Sequence, residues 1–266
     1  MRRNGFLALA FHTFVVIFTL APIVTVCIVA FTPNGYLSLP TSGFSLRWFR
    51  AIADRPEFVR SFVDSLWLAA VASTLAVVLA VPAALAIARH RFIGRAALLN
   101  LFQSPLMIPH LVLGIAFLRF FTETGLGVSS ATLVAGHLVV VFPFALRLVL
   151  TASVGIDRLV ENAAVSLGAS RWTTFRRITL PLILPGVISG WMLSFIQSFD
   201  EVTMSVFIST PQTTTLPVRL FLYIQDNIDP LVASVSAILI ALTVVVMVVL
   251  DRIFGMERLL VGPGRN

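Results

Sequence analysis

The chain has 266 residues, of which 58% are hydrophobic and 12% charged, with a formal charge of +7. An average soluble domain carries charge on about a quarter of its residues, so there is too little polar surface here to cover so large a core, and a soluble globular protein is excluded. All 19 basic residues are arginines, which leaves no lysine for a phosphate-gripping P-loop or for Schiff-base chemistry.

Long apolar runs predict an all-α membrane protein with six spans. In chain order they fall at Phe6–Phe31, Ser65–Ala88, Ala97–Phe121, Ala131–Leu150, Leu182–Ile208 and Leu231–Leu250. The first follows Met1-Arg2-Arg3, as a signal peptide does, but its apolar run exceeds the 7–15 residues of a signal h-region. It reads as a retained span. Six spans put both termini on one side. The N-terminus, the 89–96 loop, the 147–180 loop and the C-terminus together hold 13 arginines against four acids, and the opposite loops hold five arginines against six acids. Arginine excess marks the cytoplasmic side, so both termini are expected there. The basic balance is then topology, and no nucleic-acid partner is expected. Pro82, Pro105, Pro109, Pro143, Pro181 and Pro185 lie in or beside the spans. Each removes a backbone donor and is either a kink or an ordinary membrane proline. The organisation expected is an N-terminal helix and first periplasmic loop over 1–60, a core over 61–250, and a cytoplasmic tail over 251–266.

The 147–180 loop is longer than the others and carries helix signals. Asp157 stands where an N-cap belongs, and Gly168 where a left-handed C-terminal glycine stops a helix. Between them Leu159, Val160, Ala163 and Leu167 recur at helical spacing. Ser170 is placed to cap a second short helix with Trp172 and Phe175, which Arg176-Arg177 closes before Pro181 opens the next span. This helix–glycine–helix either docks on a partner or rests on lipid headgroups.

Asn162-Ala163-Ala164, then Gly168, then Ile178-Thr179-Leu180-Pro181 resembles the EAA loop of binding-protein-dependent ABC importer permeases, whose pattern is E-A-A, three residues, G, nine residues, I-x-L-P. The spacing matches throughout. Asn162 stands where the family has glutamate, with Glu161 just before it. Ser198–Val202 and Thr213–Phe221 look like the spermidine/putrescine branch of that family. The resemblance implies the type I importer permease fold in a bacterial inner membrane. It implies that 157–177 is a coupling element, with Glu161, Asn162, Ala163, Ala164, Gly168, Ile178, Leu180 and Pro181 facing a separate ATP-binding subunit. It further implies a second, homologous but distinct permease chain, a periplasmic solute-binding protein, and ATP and Mg on the partner ATPase, with no cofactor on this chain.

Acids inside a span are costly and usually face a cavity or a partner, so Asp200 and Glu201 are candidates for a polyamine path, together with Ser198. The alternative for this pair is placement at the periplasmic interface. His110 follows Pro109 in the third span, where polyamine-type relatives often have an acid; a histidine there weakens the case for a cation. Trp48 offers an aromatic face to a cation or serves as an interfacial anchor. A secondary transporter or channel is disfavoured by the EAA spacing. An enzyme is disfavoured because no H-E-x-x-H or G-x-S-x-G occurs and the four histidines lack metal-ligand spacing. No catalytic or metal residue is expected.

Overall fold

The structure is a computed structural model that describes residues 5–39 and 42–254. Among the described residues the regular structure is all helical, with no strand. In order the helices are α1 (Phe6–Val29), α2 (Arg47–Ala53), α3 (Pro56–Arg89), α4 (Arg95–Gln103), α5 (His110–Glu123), α6 (Ser130–Val154), α7 (Arg158–Ser166), α8 (Arg171–Thr174), α9 (Leu180–Phe199), α10 (Ser205–Ile208), α11 (Leu216–Asp226) and α12 (Leu231–Phe254). A 3₁₀ turn (Ser104–Met107) follows α4, and a π-helical turn (Phe175–Thr179) joins α8 to α9. The chain forms two compact units, Met1–Val59 with Leu222–Asn266, and Arg60–Phe221.

In the first unit α12 packs beside α1 and α2. Val29, Ala30 and Ala233 are buried between them, and the Ser234 hydroxyl donates to the Ala30 carbonyl at 3.0 Å. Phe31 lies between Phe44 and Phe49 with centroids 4.7 and 4.9 Å away. The Arg55 guanidinium sits 5.1 Å over the Tyr223 ring, and the Tyr223 hydroxyl donates to Asp229 at 2.6 Å. Burial first, and then the Asp229 carboxylate, push that hydroxyl above its usual pKa. The lipid-type surface of α1 is almost wholly uncovered, with Leu7, Phe11, Phe14 and Phe18 exposed.

The second unit is organised around α6 and α9. Gly186, Gly190, Ser194 and Ser198 recur every fourth residue on α9, so they form one stripe of small side chains. Such stripes let membrane helices approach backbone to backbone. A Cβ added at Gly186 would collide with the Ala152 Cβ and stand 2.9 Å from the Leu148 carbonyl of α6. One added at Gly190 would stand 3.3 Å from the Ala145 carbonyl. Ser194 uses the closeness to donate to the Val141 carbonyl at 3.2 Å. Ser129 and Thr132 start α6 with reciprocal side-chain to backbone bonds. Around this pair Leu68, Val141, Leu146, Ile183, Met204 and Ile208 form a fully buried core.

Two of the expected spans are corrected. Ala97–Phe121 is not one helix: α4 with its 3₁₀ turn meets α5 at 102°. Pro105 lies in the turn and Pro109 takes the N-cap of α5, which starts the chain in a new direction. The fifth span begins earlier and ends earlier than expected, running from Arg171 to Phe199. Pro181 neither opens nor breaks it. The Leu180 N–H reaches back five residues to the Phe175 carbonyl, so the ladder slips by one just before the residue that lacks a donor. Pro82, Pro143 and Pro185 likewise lie inside continuous helices. Four helices are long and apolar enough to cross a membrane, and the bent pair adds a fifth candidate. In α12 the apolar stretch Leu231–Val245 is shorter. Residues 255–266 of the expected tail lie outside the described residues, as do Arg2 and Arg3.

Candidate functional site

The long loop is built by its own caps. The Asp157 carboxylate accepts from the Leu159 N–H at 2.9 Å and starts α7. At the other end Gly168 has φ +90°, the left-handed region that glycine enters without a Cβ penalty. Its N–H bonds the Val165 carbonyl at 2.9 Å, and the Ala169 N–H bonds the Ala164 carbonyl at 3.0 Å. That pair of bonds is a Schellman stop. Ser170 then accepts from the Thr173 N–H and begins α8. Trp172 and Phe175 lie on one continuous helical path into α9, so the second helix is the root of the span and not a separate piece.

The two sides of α7 differ. Leu159, Val160, Ala163, Val165 and Leu167 are exposed, with Leu167 at 89%, and Asn162 is exposed with them. Glu161 turns the other way. Its carboxylate takes hydrogen bonds from the Arg89 guanidinium at the end of α3 and from the Thr179 hydroxyl at 2.5 Å. Arg89 also donates to Thr179 at 3.2 Å, and Arg158 donates to the Ala88 carbonyl at 2.8 Å. Glu161 is therefore the anchor of α7, while Asn162 and Ala163 belong to the face it presents. Ala164 is half-buried, Ile178 and Leu180 are half-buried beyond the anchor, and Pro181 is exposed.

A second polar cluster lies in the apolar interior. α9 stops at Phe199, and Asp200 and Glu201 diverge there. Asp200 is exposed, whereas Glu201 is 6% exposed. One Glu201 oxygen accepts from the Met204 N–H at 2.7 Å and steadies the turn into α10. The other lies 2.5 Å from the His110 Nδ1. His110 opens α5 directly after the break at Pro109, which is what brings it to residue 201. The stretch 204–208 fits against α5 and α6 because both carry glycine there. A Cβ at Gly114 would meet Phe207 at 2.8 Å, and one at Gly136 would meet Ile208 at 2.7 Å.

Ser198 is buried beside this cluster and bonds the Nδ1 of His137 at 2.8 Å, while Ser205 bonds its Nε2 at 2.9 Å. Each hydroxyl donates or accepts, so a neutral ring is satisfied in either tautomer. His137 is a member that sequence reasoning missed. Its signal was present, since a lone histidine in the run Leu133–Val141 must find partners. Trp48 lies in the other unit. There it is 6% exposed, donates to the Asn34 carbonyl at 3.1 Å, and has the Arg47 guanidinium 4.8 Å above its ring. No group of three or more His, Cys, Asp or Glu able to hold a metal occurs among the described residues.

The sequence pattern of a family described as binding-protein-dependent transport system inner membrane component matches residues 76–256. The chain is 31% identical over 243 residues to the spermidine/putrescine transport system permease protein PotC of Haemophilus influenzae, covering 91% of this chain and 94% of that one. It is 27% identical to the putrescine transport system permease protein PotI of Escherichia coli K12, over 84% and 82%. It is 33% identical to a putative 2-aminoethylphosphonate transport system permease protein PhnV of Salmonella paratyphi A, over 83% and 82%. Among solved structures, a chain of a bacterial ABC transporter that imports alginate superposes with a TM-score of 0.71 at 17% identity, over 96% of this chain and 98% of that one. A chain of the MetNI methionine ABC transporter superposes at 0.60 and 21%, over 74% and 94%. These two speak for the fold.

Proposed function

We propose that this chain, which belongs to the family of binding-protein-dependent transport system inner membrane components, passes a polyamine of the spermidine/putrescine type across the inner membrane. It is the permease subunit of an ABC importer, a transport component and not an enzyme. The polyamine reading is carried by the buried Glu201 carboxylate, in a chain whose relatives PotC and PotI bear the names of polyamine permeases. A carboxylate in an apolar wall is costly unless a cation answers it. In this structure the His110 Nδ1 lies against that carboxylate; a polyamine ammonium takes its place when the pair opens. Asp200, exposed one residue earlier, offers the second carboxylate.

The coupling reading follows from the opposite end of the same unit. The exposed face of α7, from Leu159 through Asn162 and Ala163 to Leu167, is the seat for a separate ATP-binding subunit. This chain has no lysine for a P-loop of its own, so ATP and Mg belong to that subunit. Six crossings are proposed, with the bent α4–α5 pair and α12 completing the four long helices. Both termini and α7 then face the cytoplasm, as the arginine distribution requires. A second, related permease chain and a periplasmic binding protein complete the transporter. Binding of ATP moves α7, and the permease pair opens outward to take solute from the binding protein.

A second reading is a small zwitterion such as an amino acid or aminophosphonate. The His110–Glu201 contact favours it, since an imidazole and a carboxylate stand together there and can meet the acid and the amine of one solute. The test is uptake of labelled putrescine and spermidine in cells lacking this chain, with and without complementation, against unlabelled amino acids and 2-aminoethylphosphonate. Restored uptake that only polyamines compete supports the first reading. Absence of restored uptake with the other subunits present overturns it.

A further inference from the structure

Where α3 ends and α4 begins, a cavity of about 450 Å³ is lined by Ala88, Arg89, His90, Arg91, Arg95 and Arg158. Three of its four guanidinium groups are fixed in place. Arg89 is held by Glu161 and Thr179, Arg95 Nε donates to the Ile87 carbonyl at 2.9 Å, and Arg158 donates to the Ala88 carbonyl. The last two fill the open carbonyls at the C-terminus of α3, the end that favours cations. Each uses only part of a five-donor fork, and one carboxylate, Glu161, stands against four arginines. Arg91 is in no ion pair among the described residues. A preorganised set of guanidinium donors with this charge excess fits a phosphate.

The chain beside the cavity says which phosphate. Between Arg91 and Arg95, Phe92 is 42% and Ile93 fully exposed, and Gly94 turns the backbone at φ +89° so that this apolar tip projects. The tip closes a 34-residue helix, longer than a hydrocarbon core needs, so it stands at a membrane surface. Basic pockets with apolar neighbours at that level suit an anionic headgroup with its acyl chains alongside. A soluble phosphate makes no use of Phe92 and Ile93.

We propose that this pocket holds the phosphate of an anionic membrane lipid, with Arg91 and Arg95 on the headgroup and Phe92 and Ile93 against its acyl chains. The site is separate from the solute path and from the exposed face of α7.

The test uses the assembled transporter in detergent, titrated with dioctanoyl phosphatidylglycerol, dioctanoyl phosphatidylcholine and glycerol 3-phosphate, with bound molecules counted by native mass spectrometry. Phosphatidylglycerol is expected to stay bound, and the other two are not. Arg91→Gln, which breaks no internal contact, weakens it about five-fold, and adding Arg95→Gln multiplies the loss by a similar factor. Phe92→Ser with Ile93→Ser weakens the lipid as well and tests the site without touching a charge. Arg176→Gln with Arg177→Gln removes the same charge elsewhere and leaves binding unchanged. Equal retention of phosphatidylcholine, an equal loss in the Arg176/Arg177 control, or glycerol 3-phosphate binding as tightly as the lipid overturns the proposal. So does lipid bound by this chain alone but not by the assembled transporter, which would mean that a partner subunit covers the pocket.

Discussion

Glu161 answers Arg89 at one end of residues 60–221, and Glu201 answers His110 in their interior. Each pair joins the start or end of one helix to a distant stretch of chain. Arg89 and Glu161 sit at the rim, among a surplus of arginines, and their bond clamps α7 to the end of α3. Glu201 and His110 sit where the alternative to pairing is an unanswered charge in an apolar wall. The first pair positions an outward face; the second closes an inward one. The rim carboxylate is thus held by a guanidinium and a hydroxyl, whereas the interior one is held by a ring nitrogen and a backbone N–H.

The sharpest way to break this contrast is Gly168→Asp. It forces a side chain into a φ of +90° and adds a negative charge at the end of α7. Uptake is expected to vanish while the protein still assembles in the membrane, as measured by transport and by co-purification of the ATP-binding subunit without nucleotide-dependent uptake. Normal uptake would show that α7 is not the coupling element. Next comes Glu201→Gln, expected to lower uptake about ten-fold or more, against a few-fold for the exposed Asp200→Asn. Equal effects would mean that the two acids share one environment, contrary to their burial. Glu161→Ala leaves Arg89 unanswered and is expected to cost about 2 kcal/mol, read as a lower melting temperature of the detergent-purified transporter with reduced uptake. His137→Ala strands the Ser198 and Ser205 hydroxyls and costs about 1–3 kcal/mol, while uptake by the protein that remains folded is kept. The smallest effect belongs to Asn162→Ala, a change on the exposed face expected to stay within about 0.5 kcal/mol in stability and visible only in affinity for the ATP-binding subunit.

Legibility in the sequence follows the range of the interaction. Asp157, Gly168 and Ser170 were readable as start and stop signals because a cap is made within three residues of itself. The EAA loop was readable only as a resemblance to a known family, carried by residues 162–181. The anchor role of Glu161 was not, because Arg89 and Thr179 are 72 and 18 residues away and no local rule links them. Pro105 and Pro109 announced a break, yet Pro82, Pro143, Pro181 and Pro185 looked the same and broke nothing. Pro181 is accommodated by the π-helical slip just before it, and nothing in the local sequence marks Pro82, Pro143 and Pro185 as different from the two prolines at the break. Asp200 and Glu201 read as two acids about 100° apart on a helix, and only the end of α9 at Phe199 shows which of them is exposed and which is buried.

α8, the π-helical turn and α9 run from Arg171 to Phe199 without a joint, pinned to α6 along a seam where almost no side chain intervenes. Such a shaft has stiffness and little room to slip. Its exposed root at Trp172 and its far end at Phe199, just before the Asp200-Glu201 turn, thus belong to one helical piece. The two ends of that piece are therefore an exposed indole and the neighbourhood of Glu201, the one buried carboxylate among the described residues.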